Sequence, residues 1–299
     1  MNLIQNESKS GPATTIDADP VNMTEFRLVR PEAPAPVSMD GIFDCLIHNF
    51  RDGDSFQAGI VWLNLSEVVK TCRAPANQSV IFDTFFGAEP KFMIPGPTPD
   101  FEYTMLTFGV GRSVKAEEMI MHKYKNCKKF VAVDPTAEVN EKLVTDAGGR
   151  FLELTVGAKD DVFAASIMQK PLGNRLPYIT KNVTHTSIES TIKKAEMGDI
   201  VDIMLMDIEG AEFEILENFI DQSVKRTTIC QMNVEMHSPW VNVVKKNNII
   251  RTLYNLSKKR EWMLFEVNPV KIRYEVFHRS FFINVKDPYC VQKYYPSMI

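Results

Sequence analysis

The sequence predicts an α/β protein whose centre is a doubly wound, mostly parallel sheet with helices on both faces. Two observations lead there. From about residue 80 onward, short apolar runs alternate with amphipathic segments of ten or so residues, the pattern of right-handed βαβ crossovers. Most of the apolar runs end in an acid or in a glycine turn, as strands do where a ligand sits beyond the carboxyl ends of such a sheet. A chain of 299 residues that is 44% hydrophobic and 24% charged is long and apolar enough to bury roughly 75% of its unfolded surface.

Three regions are expected: a tail over 1–38, a helical extension over 39–80 and a catalytic-type domain over 81–299. The tail is polar and broken by Pro12, Pro20, Pro31, Pro34 and Pro36, so it buries too little apolar surface to offset the cost of ordering. "GIFDCLIHNF" and "FQAGIVWLNLSEVVKTC" carry apolar residues at three- and four-residue steps and read as helices. "VIFDTFFG" is a short apolar run, and "MIPGPTPDFE" a Pro/Gly connection.

The alternation proper begins with "YTMLTFGVG", a strand and a glycine turn. The helix "VKAEEMIMHKY" should turn Ala116, Met119, Ile120 and Tyr124 inward, with Ser113 as its cap. "KKFVAVDP" is a buried strand, and "AEVNEKLVTDAGG" a helix stopped at Gly148 or Gly149. "RFLELTVGA" is the third strand. Residues 158–199 are irregular, with capping-box spacing at Thr186 and Glu189. "IVDIMLMD" and "TTICQMNVEMH" are the fourth and fifth strands, separated by the helix "AEFEILENFI". A helix around 243–259 leads to two late strands, "EWMLFEV" and "YEVFHRSFFINV".

The chemistry is expected at the strand ends. Gly109 and Gly111 permit a tight turn and close approach of a ligand to the backbone, next to a helix N-terminus that favours an anion. Asp134 lies 23 residues past Gly111 at the tip of the second strand, placed to accept ribose hydroxyls. Gly157 and Ala158 are small enough for an adenine ring to lie against the backbone. Asp207, Glu209, Glu235 and His237 stand at the fourth and fifth strand ends, where such groups can act as a general base or hold a divalent cation. Glu212 and Glu214 read as a solvated helix face.

In this order the pieces resemble the FkbM-type methyltransferase family. "LMDIEGAEFEIL" (205–216) is similar to its signature segment, and "LTFGVG", "VAVDP", "LTVGAKD", "VTHTSIESTI" and "QMNVEMHSP" resemble the segments around it, over about 80–285. The resemblance implies a class I, Rossmann-like sheet of seven strands with the last antiparallel, S-adenosyl-L-methionine as methyl donor, and a hydroxyl on a small molecule or sugar-like compound as acceptor. It implies that Gly109 and Gly111 approach the methionine moiety, that Asp134 holds the ribose, that Asp207 faces the transferred methyl, and that Glu235 and His237 lie on the acceptor side. No metal is assigned; a cation on Asp207, Glu209 or Glu235 is the variant. Many such enzymes carry an acid two residues before the first glycine; here that position is Thr107, and a third glycine is missing. These departures support an alternative, a methyltransferase fold that binds without catalysing.

The net charge of -4 does not favour nucleic acid or an anionic membrane as partner. Five scattered cysteines without CxxC spacing read as free thiols in a reducing, cytoplasmic compartment. Against that stand N-x-S/T sequons at Asn6, Asn22, Asn64, Asn77, Asn182 and Asn255, which matter only on a secretory route.

Overall fold

The computed structural model describes residues 38–51, 53, 57–74, 80–168, 178–219, 227–239, 248–272 and 274–296. The expected tail over 1–38 lies almost wholly outside them.

Three helices open the described chain: α1 (Met39–Phe50), α2 (Gln57–Leu63) and α3 (Leu65–Arg73). A two-stranded hairpin follows, β1 (Asp83–Phe86) with β2 (Pro90–Met93). Then come β3 (Tyr103–Phe108), α4 (Lys115–Lys123), β4 (Cys127–Asp134), α5 (Ala137–Asp146) and β5 (Arg150–Glu153). A small sheet is built from β6 (Thr155–Gly157), β7 (Asp161–Met168) and β8 (Tyr178–Ser187). The chain continues through α6 (Ile188–Lys194), β9 (Ile200–Met206), α7 (Glu212–Asn218), β10 (Thr228–Met236), α8 (Ile249–Lys259), β11 (Trp262–Ile272), β12 (Glu275–Asn284) and α9 (Pro288–Tyr294).

The main sheet has seven strands in the order β11-β12-β10-β9-β3-β4-β5. The pairs β5/β4, β4/β3, β3/β9 and β9/β10 are parallel, while β12, the last strand of the chain, runs antiparallel between β10 and β11. This is the class I arrangement that the resemblance implies. The central strands are buried on both faces, as β9 shows from Val201 to Met206, because helices cover both sides of a parallel sheet.

The helical extension packs on the β11/β12 end and shares its core. Trp62 is fully buried, its indole N–H donates to the Val276 carbonyl at 3.0 Å, and the Ser66 hydroxyl donates to Val267 at 2.8 Å. Arg73 pairs with Glu266 at 2.5 Å between the rings of Phe82 and Phe265.

The structure corrects several expectations. The third strand is divided: β5 belongs to the main sheet and β6 to the small one, so Gly157 pairs with Ser187 of β8. Met119 is 36% exposed, and the inward face of α4 is Ala116, Glu117 and Ile120. The residue preceding α4 is Val114, without a side-chain cap. The cap of α6 is Ser187, whose hydroxyl accepts from Ser190 N, one residue later than the capping-box spacing suggested. Four cysteines are not free thiols: Cys45 is bonded to Cys72, and Cys230 to Cys290. Their separations of 27 and 60 residues are closed by the α1/α3 packing and by the return of α9 under β10, neither of which local spacing reveals.

Candidate active site

The site is built where β3, β9 and β10 end. After β3, Gly109 turns with φ of +80° while its amide donates to the Val133 carbonyl at 2.9 Å. A Cβ there would lie 1.7 Å from the Asp207 carbonyl oxygen, so only glycine lets the β3 turn meet the end of β9. Gly111 also has positive φ, and a Cβ on it would meet nothing within 4 Å; it faces open space. Asp134 braces this turn: one oxygen accepts from Val110 N at 3.0 Å and the other from Thr136 N at 2.8 Å. Each oxygen keeps a further lone pair for a ligand hydroxyl.

At the end of β9 the chain turns through Glu209 (φ +57°) and Gly210 (φ +100°). A left-handed glutamate is strained, and the consequence here is positional. It swings Glu209 back so that its carboxylate lies 3.5 Å from His237 Nε2, beside Asp207 at 3.7 Å. Strict strand alternation would have pointed Glu209 away.

Glu212 is the residue that sequence reasoning assigned wrongly. It is not a solvated helix acid: it is fully buried. Its carboxylate accepts from Gly210 N at 2.8 Å, from His237 N at 2.9 Å and from His237 Nδ1 at 2.8 Å. It thus ties the turn after β9 to the end of β10 and fixes the imidazole with Nε2 toward Asp207. Burial alone would lower the His237 pKa, but the carboxylates of Glu212, Asp207 and Glu209 carry it up to about 10. The ring is therefore an imidazolium at neutral pH. Burial pushes the Asp207 carboxyl up to about 6, and Asp207 Oδ1 is buried without a hydrogen-bond partner.

β10 carries Glu235 beside His237. Its alternation does not divide water from core, because both faces are buried. Instead Asn233 and Gln231 use their side-chain amides as backbone mimics for β2. Asn233 accepts from Phe92 N at 2.7 Å and donates to Phe92 O at 2.8 Å; Gln231 does the same with Ile94 at 2.8 and 3.0 Å. These bonds hang the hairpin over the sheet and bring in two residues that the sequence did not suggest. Lys91 pairs with Glu89 at 3.0 Å, and Arg279 links Glu89 at 3.2 Å to Glu235 at 3.0 Å. Burial, with Asp207 and Glu89 nearby, raises the Glu235 carboxyl to about 8.

A cavity joins these groups to the glycine turn. It is lined by Glu89, Lys91, Thr107, Gly111, Glu117 and Asp207, among others. Glu117, from the first turn of α4, is 4% exposed and accepts from the Thr107 hydroxyl at 3.0 Å. Its pKa is raised, chiefly by burial. The carboxylate missing from position 107 of the strand is supplied at the same place by the helix. Gly157 and Ala158 are placed elsewhere: Gly157 lies against the His185 ring, and Ala158 lines a separate cavity with Ile188, Ile215 and Phe219.

The side chains of Asp207, Glu235 and His237 each offer a ligand atom within 4.8 Å of the others, close enough to hold a cation once His237 and Glu235 give up their protons. No helix among the described residues is long and apolar enough to cross a membrane.

A seven-stranded sheet of this order, with a glycine turn at one strand end and acids at the next two, defines the class I methyltransferase fold. Residues 78–279 match the Methyltransferase FkbM domain, and the chain belongs to that family. No curated protein sequence matches it. Among solved structures it is similar to the E. cuniculi Mtq2-Trm112 complex responsible for methylation of the eRF1 translation termination factor. That likeness has 14% identity and a TM-score of 0.31, over 62% of this chain and 87% of that one. It is also similar to a mutant 16S rRNA (adenine(1408)-N(1))-methyltransferase from Catenulisporales acidiphilia, at 15% identity and a TM-score of 0.31, over 70% and 99% of the two chains.

Proposed function

We propose that the chain transfers a methyl group from S-adenosyl-L-methionine to a hydroxyl of a small-molecule acceptor. The observation that carries this reading is the meeting of the β3 glycine turn with a crevice rich in buried acid. Six acidic side chains (Glu89, Glu117, Asp207, Glu209, Glu212 and Glu235) surround three cationic ones, Lys91, His237 and Arg279. An anionic crevice suits a ligand that carries both a sulfonium and an ammonium. When bound, that cofactor supplies the electrophilic methyl and its leaving group.

The chain's own residues supply position and proton transfer. Gly109 and Gly111 let the ligand approach the backbone, and Asp134 has lone pairs for the ribose. Glu117, in place of the absent strand acid, would hold the ammonium, and Lys91 would bind the α-carboxylate. Gly157, which ends β6, and Ala158, which follows it, are the adenine-side residues of this reading. Asp207 is the base for the acceptor hydroxyl, because its carboxyl ionises within reach of neutral pH. His237, as an imidazolium held by Glu212, orients Asp207 and the acceptor; Glu235 borders the acceptor side.

Thermal unfolding with S-adenosylhomocysteine, beside NAD as a control ligand that also carries an adenosine, tests the reading. Ligand at 100 times its dissociation constant adds about 2.7 kcal/mol, or about 5–10 °C for a domain of this size. A shift with the homocysteine compound alone is expected. No shift with either supports the alternative, a methyltransferase-fold binding module without catalysis. The Asp207–Glu235–His237 trio favours a second reading in which a divalent cation orients the acceptor oxygen. Manganese binding followed by paramagnetic resonance, lost in Glu235→Gln, checks that version.

A further inference from the structure

Two observations stand outside the methyl-transfer reading. The first is that both disulfides are interior, with Cys72, Cys230 and Cys290 fully buried and Cys45 5% exposed. Buried structural disulfides form and persist where the compartment is oxidising.

The second is how differently the fold treats its sequons. Asn6, Asn22 and Asn77 lie outside the described residues. Asn64 is half-buried where α2 meets α3, and its Nδ2 donates to the Ile60 carbonyl at 2.8 Å. The Ser66 hydroxyl of the same sequon donates to Val267 across the β11 interface. Asn255 is half-buried in α8, and the hydroxyl of its Ser257 is buried and donates to Leu253 at 2.8 Å. A bulky glycan at either place would have to open a packed helix.

Asn182 is different. It is exposed in the middle of β8, and Thr180 and Thr184, on the same strand face, are exposed too. Across the ladder its partner Ala164 is exposed, and Val162, the partner of Thr184, is 57% exposed. The strand face around Asn182 is therefore open, includes an apolar residue in water, and presents a complete N-x-T acceptor.

We propose that Asn182 carries an N-linked oligosaccharide and that the chain matures in the secretory pathway. In the transfer, a bond forms between Asn182 Nδ2 and the anomeric carbon of a lipid-diphosphate-linked oligosaccharide. The anomeric C–O bond to diphosphate breaks, the lipid diphosphate leaves, and the amide proton passes to a base of the transferase. Donor and disulfide-forming oxidant come from one compartment. The glycan then covers Val162 and the open sheet face. The proposal stands whether or not the chain binds the methyl donor.

The test uses the full chain isolated from the cells that make it, with thiols blocked before lysis. It is deglycosylated enzymatically in heavy-oxygen water and mapped by peptide mass. The expected result is labelled aspartate at Asn182, unlabelled Asn64 and Asn255, and Cys45, Cys72, Cys230 and Cys290 alkylated only after reduction. In the same cells, Asn182→Gln and Thr184→Ala, which keeps the asparagine, should each migrate faster by one glycan. Unlabelled Asn182, unchanged mobility in both variants, or free thiols at Cys45, Cys72, Cys230 or Cys290 in the native chain would each overturn the proposal.

Discussion

Glu117→Gln separates a binding role from a structural one, because the two predict opposite signs. In the free protein Glu117 is 4% exposed, its partner is a neutral hydroxyl at 3.0 Å, and its pKa is raised by burial. Holding a charge there works against folding. Glutamine has nearly the same shape and keeps an oxygen for Thr107, so the variant should unfold at the same temperature as the parent or a higher one. Toward the cofactor the change should be costly. A hydrogen bond between ionised partners is worth about 1.5–3 kcal/mol, which at 1.4 kcal/mol per decade is about 10- to 150-fold in affinity. Calorimetric titration with two ligands makes the assignment specific. S-adenosylhomocysteine has the ammonium and methylthioadenosine lacks it, so Glu117→Gln should weaken the first by that factor and leave the second unchanged. Moving the acid back to the strand, in Thr107→Asp with Glu117→Thr, should recover part of the lost affinity. Equal weakening toward both ligands would show that Glu117 only shapes the pocket. No weakening toward either would remove it from the site. Failure of the parent chain to bind both would instead refute the methyltransferase reading itself.

Two further predictions follow from the same geometry. With Asp207 as base, turnover at saturating cofactor should fall as pH drops through about 6, where its carboxyl takes up a proton. Asp207→Asn should lose roughly 10²–10⁴-fold in rate together with that acidic limb, and a limb that survives the substitution would assign it to another group. Removing the Cys230–Cys290 bond by Cys290→Ser should lower stability by about 4 kcal/mol, the chain-entropy value for a closed loop of this length, with little change in cofactor affinity. An unchanged unfolding midpoint in non-reducing buffer would show that the bond does not constrain the unfolded chain.

The sheet was legible because its evidence is local. Four of the five parallel strands are short apolar runs that lead into a residue of the proposed site: Gly109, Asp134, Asp207, Glu235. Parallel strands buried on both faces need no partner information to be recognised. Where two strands abut without a helix between them, the same reasoning failed. The run from Arg150 to Gly157 is one stretch in sequence but two strands in two sheets, because Leu154 separates them without any Gly or Pro to mark the break. The cysteines failed for a related reason. Pairing depends on where α1 lies against α3 and α9 under β10, and no spacing rule covers those contacts.

The site was half legible, and the missing half has a common cause. Glu212 looked solvated because acids in a first helical turn usually are, and only the left-handed turn at Glu209 and Gly210 carries it under His237. Glu117 sits in "KAEEM" beside an identical neighbour; the helical period that buries Ala116 and Ile120 also turns Glu117 inward and leaves Glu118 in water. That signal was present, yet an acid on the apolar face is usually discounted. Glu89 and Lys91 arrive through the amide contacts of Asn233 with Phe92 and of Gln231 with Ile94, pairs 141 and 137 residues apart. The polar residues of β10 are what hold these groups in place. A strand that alternates polar and apolar inside a doubly covered sheet should therefore prompt a search for backbone to be paired. Here that search leads from Asn233 to Phe92, and from Phe92 to Lys91 in the crevice.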